Sequence, residues 1–301
     1  MIVISVKNLG KKYKDLQALN NISVEVKDNE IFGIVGPNGA GKTTFIECVL
    51  GLRTADVGEI SILNMDIQKH EKELKYLIGA QLQEAMLPAN MKVKEAIELQ
   101  AAAFKVKVDI DVLLKNFDLE SKKNVFFSKL SGGQKQRLFI LLATVHNPKI
   151  VFFDELSTGL DPNARREVWK YVFNLKKQGK TIIISTHLLE EAQELCDRVL
   201  IIDKGKIIKL DTPENLINSL DYKRIVEFNT NTNFDEIKKH LGNIESLKDI
   251  RVNEFGRINI LSDSIKCEEE VKNILKSKNI EYSNLSIKNV NLEDVFHRII
   301  K

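Results

Sequence analysis

Apolar and polar residues alternate at period two from Ile2 to Val6 and again from Leu19 to Val26, which predicts two strands opening an antiparallel sheet. Ile31 to Val35 is continuously apolar instead, the pattern of a strand covered on both faces. It runs through a glycine-rich turn into Thr43 to Leu50, whose apolar spacing suits a helix stopped at Gly51. Between Glu71 and Lys123 the pattern is mostly helical, clearest over Val93 to Phe104 and Asp111 to Phe117, and predicts an inserted helical subdomain at about residues 84–135.

From Ser131 the chain returns to alternating helices and strands. A helix from Gln134 to Val145, a strand from Ile150 to Phe153, a helix from Asn163 to Gln178 and a strand from Thr181 to Ser185 follow in turn. A helix from Leu188 to Cys196 leads into a hairpin, Arg198 to Lys209, turning at Asp203-Lys204-Gly205. Helices between fully apolar strands predict a mainly parallel sheet buried on both faces.

After Pro213 the composition changes: from Leu220 to Lys301 there are 14 basic and 14 acidic residues, 11 asparagines and only two glycines. The pattern there reads strand (Arg224 to Phe228), helix (Phe234 to Leu241), strands (Ser246 to Val252 and Arg257 to Leu261), helix (Cys267 to Leu275), strand (Tyr282 to Ile287) and a short helix. That order suggests a β-α-β-β-α-β unit. Two domains are therefore expected, residues 1–217 and an accessory α+β domain of residues 218–301 with a regulatory or dimerisation role.

Composition narrows the class. With 301 residues, 43% hydrophobic and 29% charged, the chain is neither disordered nor collagen-like. A net charge of +3 is too small to point to nucleic acid, and no such partner is expected. Cys48, Cys196 and Cys267 are widely spaced and form no C-x-x-C pair, so a reduced intracellular setting is expected, without a zinc or redox motif. The longest strongly apolar stretch, Leu138 to Val145, falls far short of the roughly 18–20 residues that span a bilayer. The N-terminus places apolar residues before basic ones, the reverse of a signal peptide, so secretion is not expected.

The candidate chemistry begins at Gly36-Pro37-Asn38-Gly39-Ala40-Gly41-Lys42-Thr43-Thr44, which satisfies G-x-x-x-x-G-K-[ST] between an apolar strand and a helix. Glycines let successive backbone N–H groups curl around phosphate oxygens, and the following helix turns its positive end toward them. Lys42 then reaches the β and γ phosphates, and the Thr43 hydroxyl ligates Mg²⁺. Phosphoryl chemistry also needs an acidic residue at the end of a buried strand, and Ile150-Val-Phe-Phe-Asp154-Glu155 supplies it. Asp154 would hold Mg²⁺ through water, while Glu155 would orient or deprotonate the water attacking the γ phosphate. GTPases, kinases and several ATPase families all fit this pair.

Leu130-Ser131-Gly132-Gly133-Gln134-Lys135-Gln136-Arg137 narrows the choice. It resembles the signature motif of the ATP-binding-cassette (ABC) family and stands just before the acidic strand, as in that family. Ser131 and the Gly132 and Gly133 amides, at a helix N-terminus, form a second anion site. The remaining motifs follow in order, and the resemblance implies their roles. Tyr13 stacks the adenine ring. Gln83, in Ile78-Gly-Ala-Gln-Leu-Gln-Glu84, is the Q-loop glutamine that contacts metal and water and senses the membrane partner, with Gln81 a competing choice. Ser157-Thr-Gly-Leu-Asp161-Pro162 is the D-loop, and His187 of Ser185-Thr-His is the switch histidine at the γ phosphate. Leu156 stands where many members carry proline, and Ala80-Gln81-Leu82 departs from the usual approach to the Q-loop glutamine. Farther on, Asn291-Leu-Glu-Asp-Val-Phe296 resembles the terminal helix of ATPase subunits of export-type transporters.

The resemblance implies a fold: a P-loop NTPase core with an antiparallel β subdomain and an inserted helical subdomain. In the family, phosphate loop and signature act on one nucleotide from opposite subunits. A head-to-tail pair holding two MgATP is thus expected, either a homodimer or a pseudo-symmetric pair with a related ATPase. The chain is then a transport-coupled ATP hydrolase, cytoplasmic and peripheral on the inner face of the cell membrane. It would dock through Gln83 and the helical segment on a separate membrane-spanning subunit, in the export direction. A soluble ABC ATPase acting on ribosomes, DNA repair or iron–sulfur assembly would share every motif, although ribosome-acting members generally carry two cassettes per chain. A GTPase would show N-K-x-D, and no Asn-Lys dipeptide occurs.

Overall fold

The computed structural model describes residues 1–83, 86–242, 244–253 and 255–300. Glu84, where the helical subdomain is expected to begin, and Lys301, at the end of the accessory domain, lie outside the described residues. The chain divides into two compact units, Met1–Thr212 and Pro213–Lys301.

The first unit is built on a six-stranded sheet in the order Lys206–Asp211, Arg198–Asp203, Ile31–Val35, Thr181–Thr186, Ile150–Asp154, Ile78–Gln81. All neighbours are parallel except the edge hairpin at Lys206–Asp211. Every residue of Ile31–Val35, Ile150–Asp154 and Thr181–Thr186 is buried, as their apolar middles require of strands covered on both faces. Because they run parallel, their C-terminal ends lie along one edge, where the crossover loops of such a sheet carry ligand chemistry. That edge receives the glycine-rich loop, the Asp154-Glu155 pair and His187.

Ile78–Gln81 falls within the segment expected to be mostly helical. Four residues are too few to declare a period, and the strand is stabilised by pairing with Ile150–Phe153 rather than by its own pattern. A second, antiparallel sheet has the order Leu16–Lys27, Ile2–Tyr13, Val57–Ile62, Met65–Asp66. Its first two strands run well past the predicted limits, since the hairpin closes only at Tyr13 and Leu16. The exposed ends are held by the backbone ladder, which leaves no apolar alternation to read. Phe32 and Phe152 from the parallel sheet and Phe45 and Ile46 from the helix Lys42–Val49 share one core with Leu9, Leu19 and Ile22 from the antiparallel sheet.

The helices Val93–Ala103, Ile110–Asn116 and Gly132–Thr144 lie close to where periodicity placed them. Asp118 ties this segment to the rest: it accepts a hydrogen bond from the Tyr171 hydroxyl at 2.5 Å and faces Arg137 at 3.6 Å. Burial, reinforced by Asp118, pushes the Tyr171 hydroxyl up to about 12.

The second unit runs β-α-β-β-α-β-α from Arg224–Asn229 to Leu292–Ile299, preceded by the helix Pro213–Asn218. Its antiparallel sheet has the order Leu247–Val252, Ile258–Ser262, Arg224–Asn229, Ser283–Asn289, a ferredoxin-like arrangement. Ile237, Leu241, Val271 and Leu275 of its two longer crossover helices pack on Val226, Phe228 and Ile260. The boundary precedes the expected one because Pro213, at the start of a helix, begins an element that packs with Leu292–Ile299.

Candidate active site

The glycine-rich loop is held by contacts that only its own residues permit. A Cβ on Gly36 would lie 2.2 Å from the Ile202 carbonyl oxygen, and Gly41, at φ 107°, leaves no room for one against Ala18. The Gly205 N–H donates to the Ala40 carbonyl at 2.9 Å, pinning the loop to the edge hairpin. Gly41 caps the helix Lys42–Val49 with no side chain, so the first N–H groups of the helix face the cleft. Lys42, 5% exposed, donates to the carbonyls of Gly36 at 2.8 Å and Pro37 at 3.1 Å. Burial lowers its pKa, against the pull of Glu155 and Asp154.

Asp154 ends its strand 1% exposed, and its carboxylate accepts from the Ser185 hydroxyl. Burial raises its pKa, while hydrogen bonds from Ser185 and Thr43 oppose the rise. Its Oδ2 is buried with no partner. Glu155 adopts φ 55°, which turns it out of the strand. His187 Nδ1 lies 3.3 Å from its Oε1, while Gln83 Nε2 at 3.4 Å and the Thr158 hydroxyl at 3.2 Å both donate to Oε2. A carboxylate so placed, with 10% of its side chain exposed, can orient a water or take its proton.

These groups open on a cleft of about 460 Å³ lined by Tyr13, Asn38, Lys42, Thr43, Gln83 and Glu155 among others. Arg53 lies 5.2 Å and Lys11 5.6 Å from the Tyr13 ring centroid. A separate cleft of about 260 Å³ holds Ser131, Gly132, Gly133, Gln134 and Asp161, and shares no lining residue with the first. There Ser131 and Gln134 form a reciprocal capping box, and Asp161 caps the next helix by accepting from the Asn163 and Ala164 amides.

The ABC transporter family matches residues 19–158. The Nod factor export ATP-binding protein I of Rhizobium etli is 32% identical over 306 residues, which span 99% of this chain and 93% of that protein. The chain belongs to the ABC transporter family. The Burkholderia orbicola protein of the same name is 36% identical over 221 residues, 72% of this chain and 73% of that one. Among solved structures, the ADP conformation of MJ1267, an ATP-binding cassette of an ABC transporter, has a TM-score of 0.64 at 25% identity, over 71% of this chain and 92% of that one. CbiO1 of Clostridium perfringens, part of the ABC transporter complex cbiONQ, has a TM-score of 0.65 at 27% identity, over 81% and 96%.

As an ABC ATPase the chain binds and hydrolyses ATP. Nine expected site residues from distant stretches meet in or under one cleft: Tyr13, Asn38, Gly39, Gly41, Lys42, Thr43, Thr44, Gln83 and Glu155 line it. Gly36, Pro37 and Ala40 form the loop's base, and Asp154 and His187 stand behind Glu155. The signature residues and Asp161 lie in the other cleft of the ABC cassette. Gln81 points elsewhere, buried and accepting from Gln136 at 2.7 Å, so the geometry favours Gln83 over it. Lys204, which lines the same cleft, and Thr158 and Ser185, which bond Glu155 and Asp154, belong to no residue set expected from the sequence. Lys204 was legible only as half of a hairpin turn.

The donors near Asp154 are hard oxygens, and the buried, unpartnered Oδ2 is what a cation bound through phosphate and water would engage. Among the described residues no group of three or more His, Cys, Asp or Glu forms a metal cage.

Proposed function

We propose that the chain is the ATPase subunit of an export-type ABC transporter, working as a head-to-tail pair on a separate membrane-spanning subunit at the inner face of the cell membrane. The observation that carries the pairing is the separation of the two clefts. The phosphate loop and the signature helix both present anion-binding amides, yet no residue lines both clefts, so an ATP held by Lys42 needs Ser131, Gly132 and Gly133 from a second cassette. Twofold symmetry then completes two sites at once. The export direction is suggested by relatives named for Nod factor export. No helix among the described residues is long and apolar enough to cross a membrane, which supports a separate spanning partner. Met86 and Leu99, exposed on the segment after Gln83, offer it apolar contacts.

At the site, Lys42 leaves its two carbonyls for the β and γ phosphates, and helix Lys42–Val49 directs its N-terminal amides at them. Tyr13 stacks the adenine. Thr43, Asp154 and Gln83 would hold Mg²⁺, which supplies charge neutralisation at the phosphates when bound. Glu155 accepts a proton from the attacking water, with His187 and Gln83 fixing its carboxylate. Loss of the γ phosphate removes the anion that both cassettes grip, and the pair opens. The test is Glu155→Gln, which keeps the binding groups and removes the base. With saturating MgATP it should elute as a dimer on size exclusion and revert on ATP removal; a monomer under those conditions contradicts the paired site. Tagged chain should co-isolate a polytopic membrane protein from its native host, and failure to do so removes the transport reading.

A further inference from the structure

The contacts around Glu155 close into a ring through a residue outside both clefts. One branch leaves the carboxylate by the Thr158 hydroxyl, 3.2 Å from Oε2, and passes along the backbone to Ser157. The Ser157 hydroxyl donates to Glu191 Oε1 at 2.6 Å, and both residues have 0% exposure. The other branch leaves by His187, 3.3 Å from Oε1, and reaches Glu191 through Leu188 and the first turn of helix Leu189–Leu195. Thr186 braces that corner, accepting from the Leu188 N–H at 2.9 Å. Trp169, on helix Pro162–Lys177, donates its indole N–H to the same Glu191 oxygen at 3.1 Å.

A buried carboxyl is an expensive way to fill space, and Glu191 receives no compensating contact on its second oxygen. The nearby Arg165 bonds the neighbouring Glu190 instead, at 3.1 Å. What Glu191 provides is one acceptor shared by donors from the D-loop and the long helix, mounted on the element that begins at the switch histidine. We infer that Glu191 is a positioning residue: it sets the D-loop and the His187 corner relative to each other, and so holds Thr158 and His187 on opposite oxygens of Glu155. The inference rests on the reading of Glu155 as the group that acts on the attacking water.

Displacement of a reacting group by about 1 Å can cost on the order of 10²-fold in rate, whereas Glu191 lines neither cleft and leaves nucleotide contacts untouched. The test is steady-state MgATP hydrolysis by the full chain, normalised to the folded fraction. Glu191→Ala should lower kcat about tenfold or more while KM for ATP stays within about twofold. Glu191→Gln keeps an oxygen for both donors and should restore kcat to within about threefold of the parent. Ser157→Ala should lower kcat in the parent and add nothing in the Glu191→Ala background. Parental kcat in Glu191→Ala, or losses that multiply with Ser157→Ala, overturns the inference. Should Glu191→Ala not fold, Ser157→Ala and Trp169→Phe carry the test, and parental kcat in both overturns it equally. Glu155→Gln serves as the reference: if it hydrolyses ATP at the parental rate, the reading of Glu155 fails; if it is inactive while Glu191→Ala keeps the parental kcat, only the role of Glu191 fails.

Discussion

Asp154 and Glu155 are adjacent in sequence and stand in opposite environments: Asp154 is 1% exposed at the end of a buried strand, while Glu155, at φ 55°, turns into the cleft that Lys42 lines. The left-handed backbone at Glu155 costs about 1–2 kcal/mol, and it brings a second carboxylate to the strand end that Asp154 already occupies. Two acidic residues in a regular strand would have pointed to opposite faces of the sheet.

The burial of Asp154 should appear as a stability penalty in the nucleotide-free chain. Its folded pKa lies above the ordinary value of 3.8, so its contribution to stability is full below that pH and is lost as pH rises through the folded value. Asp154→Asn removes the ionisation. Without nucleotide it should melt higher than the parent at pH 7, by about 2–4 °C for each kcal/mol recovered, with the gain shrinking toward pH 4. It should also lose the further rise that MgATP gives the parent. Differential scanning calorimetry decides, and an equal or lower midpoint at pH 7 contradicts the penalty.

Gly36→Ala brings a Cβ within 2.2 Å of the Ile202 carbonyl, so the hairpin that lines the cleft must move and ATP affinity should fall by about tenfold or more. Gly179→Ala is the control for backbone strain alone: at φ 82° it has nothing within 4 Å, and it should cost about 1–2 kcal/mol of stability with ATP affinity unchanged. Calorimetric titration with MgATP separates the two, and equal affinities would remove the steric account of Gly36.

Tyr13→Ala should weaken ATP by the worth of one stacked base, about 1–3 kcal/mol or roughly fivefold to 150-fold in KM, while Tyr13→Phe stays near the parent. Inorganic tripolyphosphate, which has no base, should inhibit the parent and Tyr13→Ala with equal constants. A parallel loss for tripolyphosphate would show that Tyr13 supports the loop rather than the adenine.

Gln81 and Gln83 should separate by phenotype. Gln81→Ala strands the Gln136 amide, bonded at 2.7 Å in the parent, and should cost about 1–3 kcal/mol of stability with kcat for ATP little changed. Gln83→Ala frees one side of the Glu155 carboxylate and should lower kcat with an unchanged melting midpoint. Reversed phenotypes would reassign the Q-loop glutamine.

Much of the cassette was legible before any coordinates. Ile31–Val35, Ile150–Asp154 and Thr181–Thr186 announce themselves because a strand covered on both faces is apolar along its middle, with polar residues confined to its ends. The strand Ile78–Gln81 did not, being short and marked chiefly by its pairing partner. The long ends of the first hairpin were hidden for the same reason: ladder hydrogen bonds leave no mark on side-chain polarity. Lys204, Thr158 and Ser185 escaped notice because hydroxyls and a turn lysine are common anywhere. Ser185 acquires its role from Asp154 and Lys204 from the cleft it shares with Lys42, both far away along the chain, and Thr158 from the turn that brings Glu155 back to it.

The chemistry of the cassette is carried by short motifs. A loop that must curl amides around phosphate needs glycines and a lysine at fixed spacing, and a metal-holding carboxylate needs a buried strand to end on. Those requirements are local, so they are written in contiguous residues. Which groups share a site depends on the folded arrangement instead. The fold joins Tyr13, Gln83 and Glu155 at one cleft and sets Ser131 and Asp161 at another. It also gave one oxygen of Glu191 to donors from two other elements. Strand order and crossover direction make those choices, and they follow from long-range packing of the whole sheet, which no short stretch of the chain encodes.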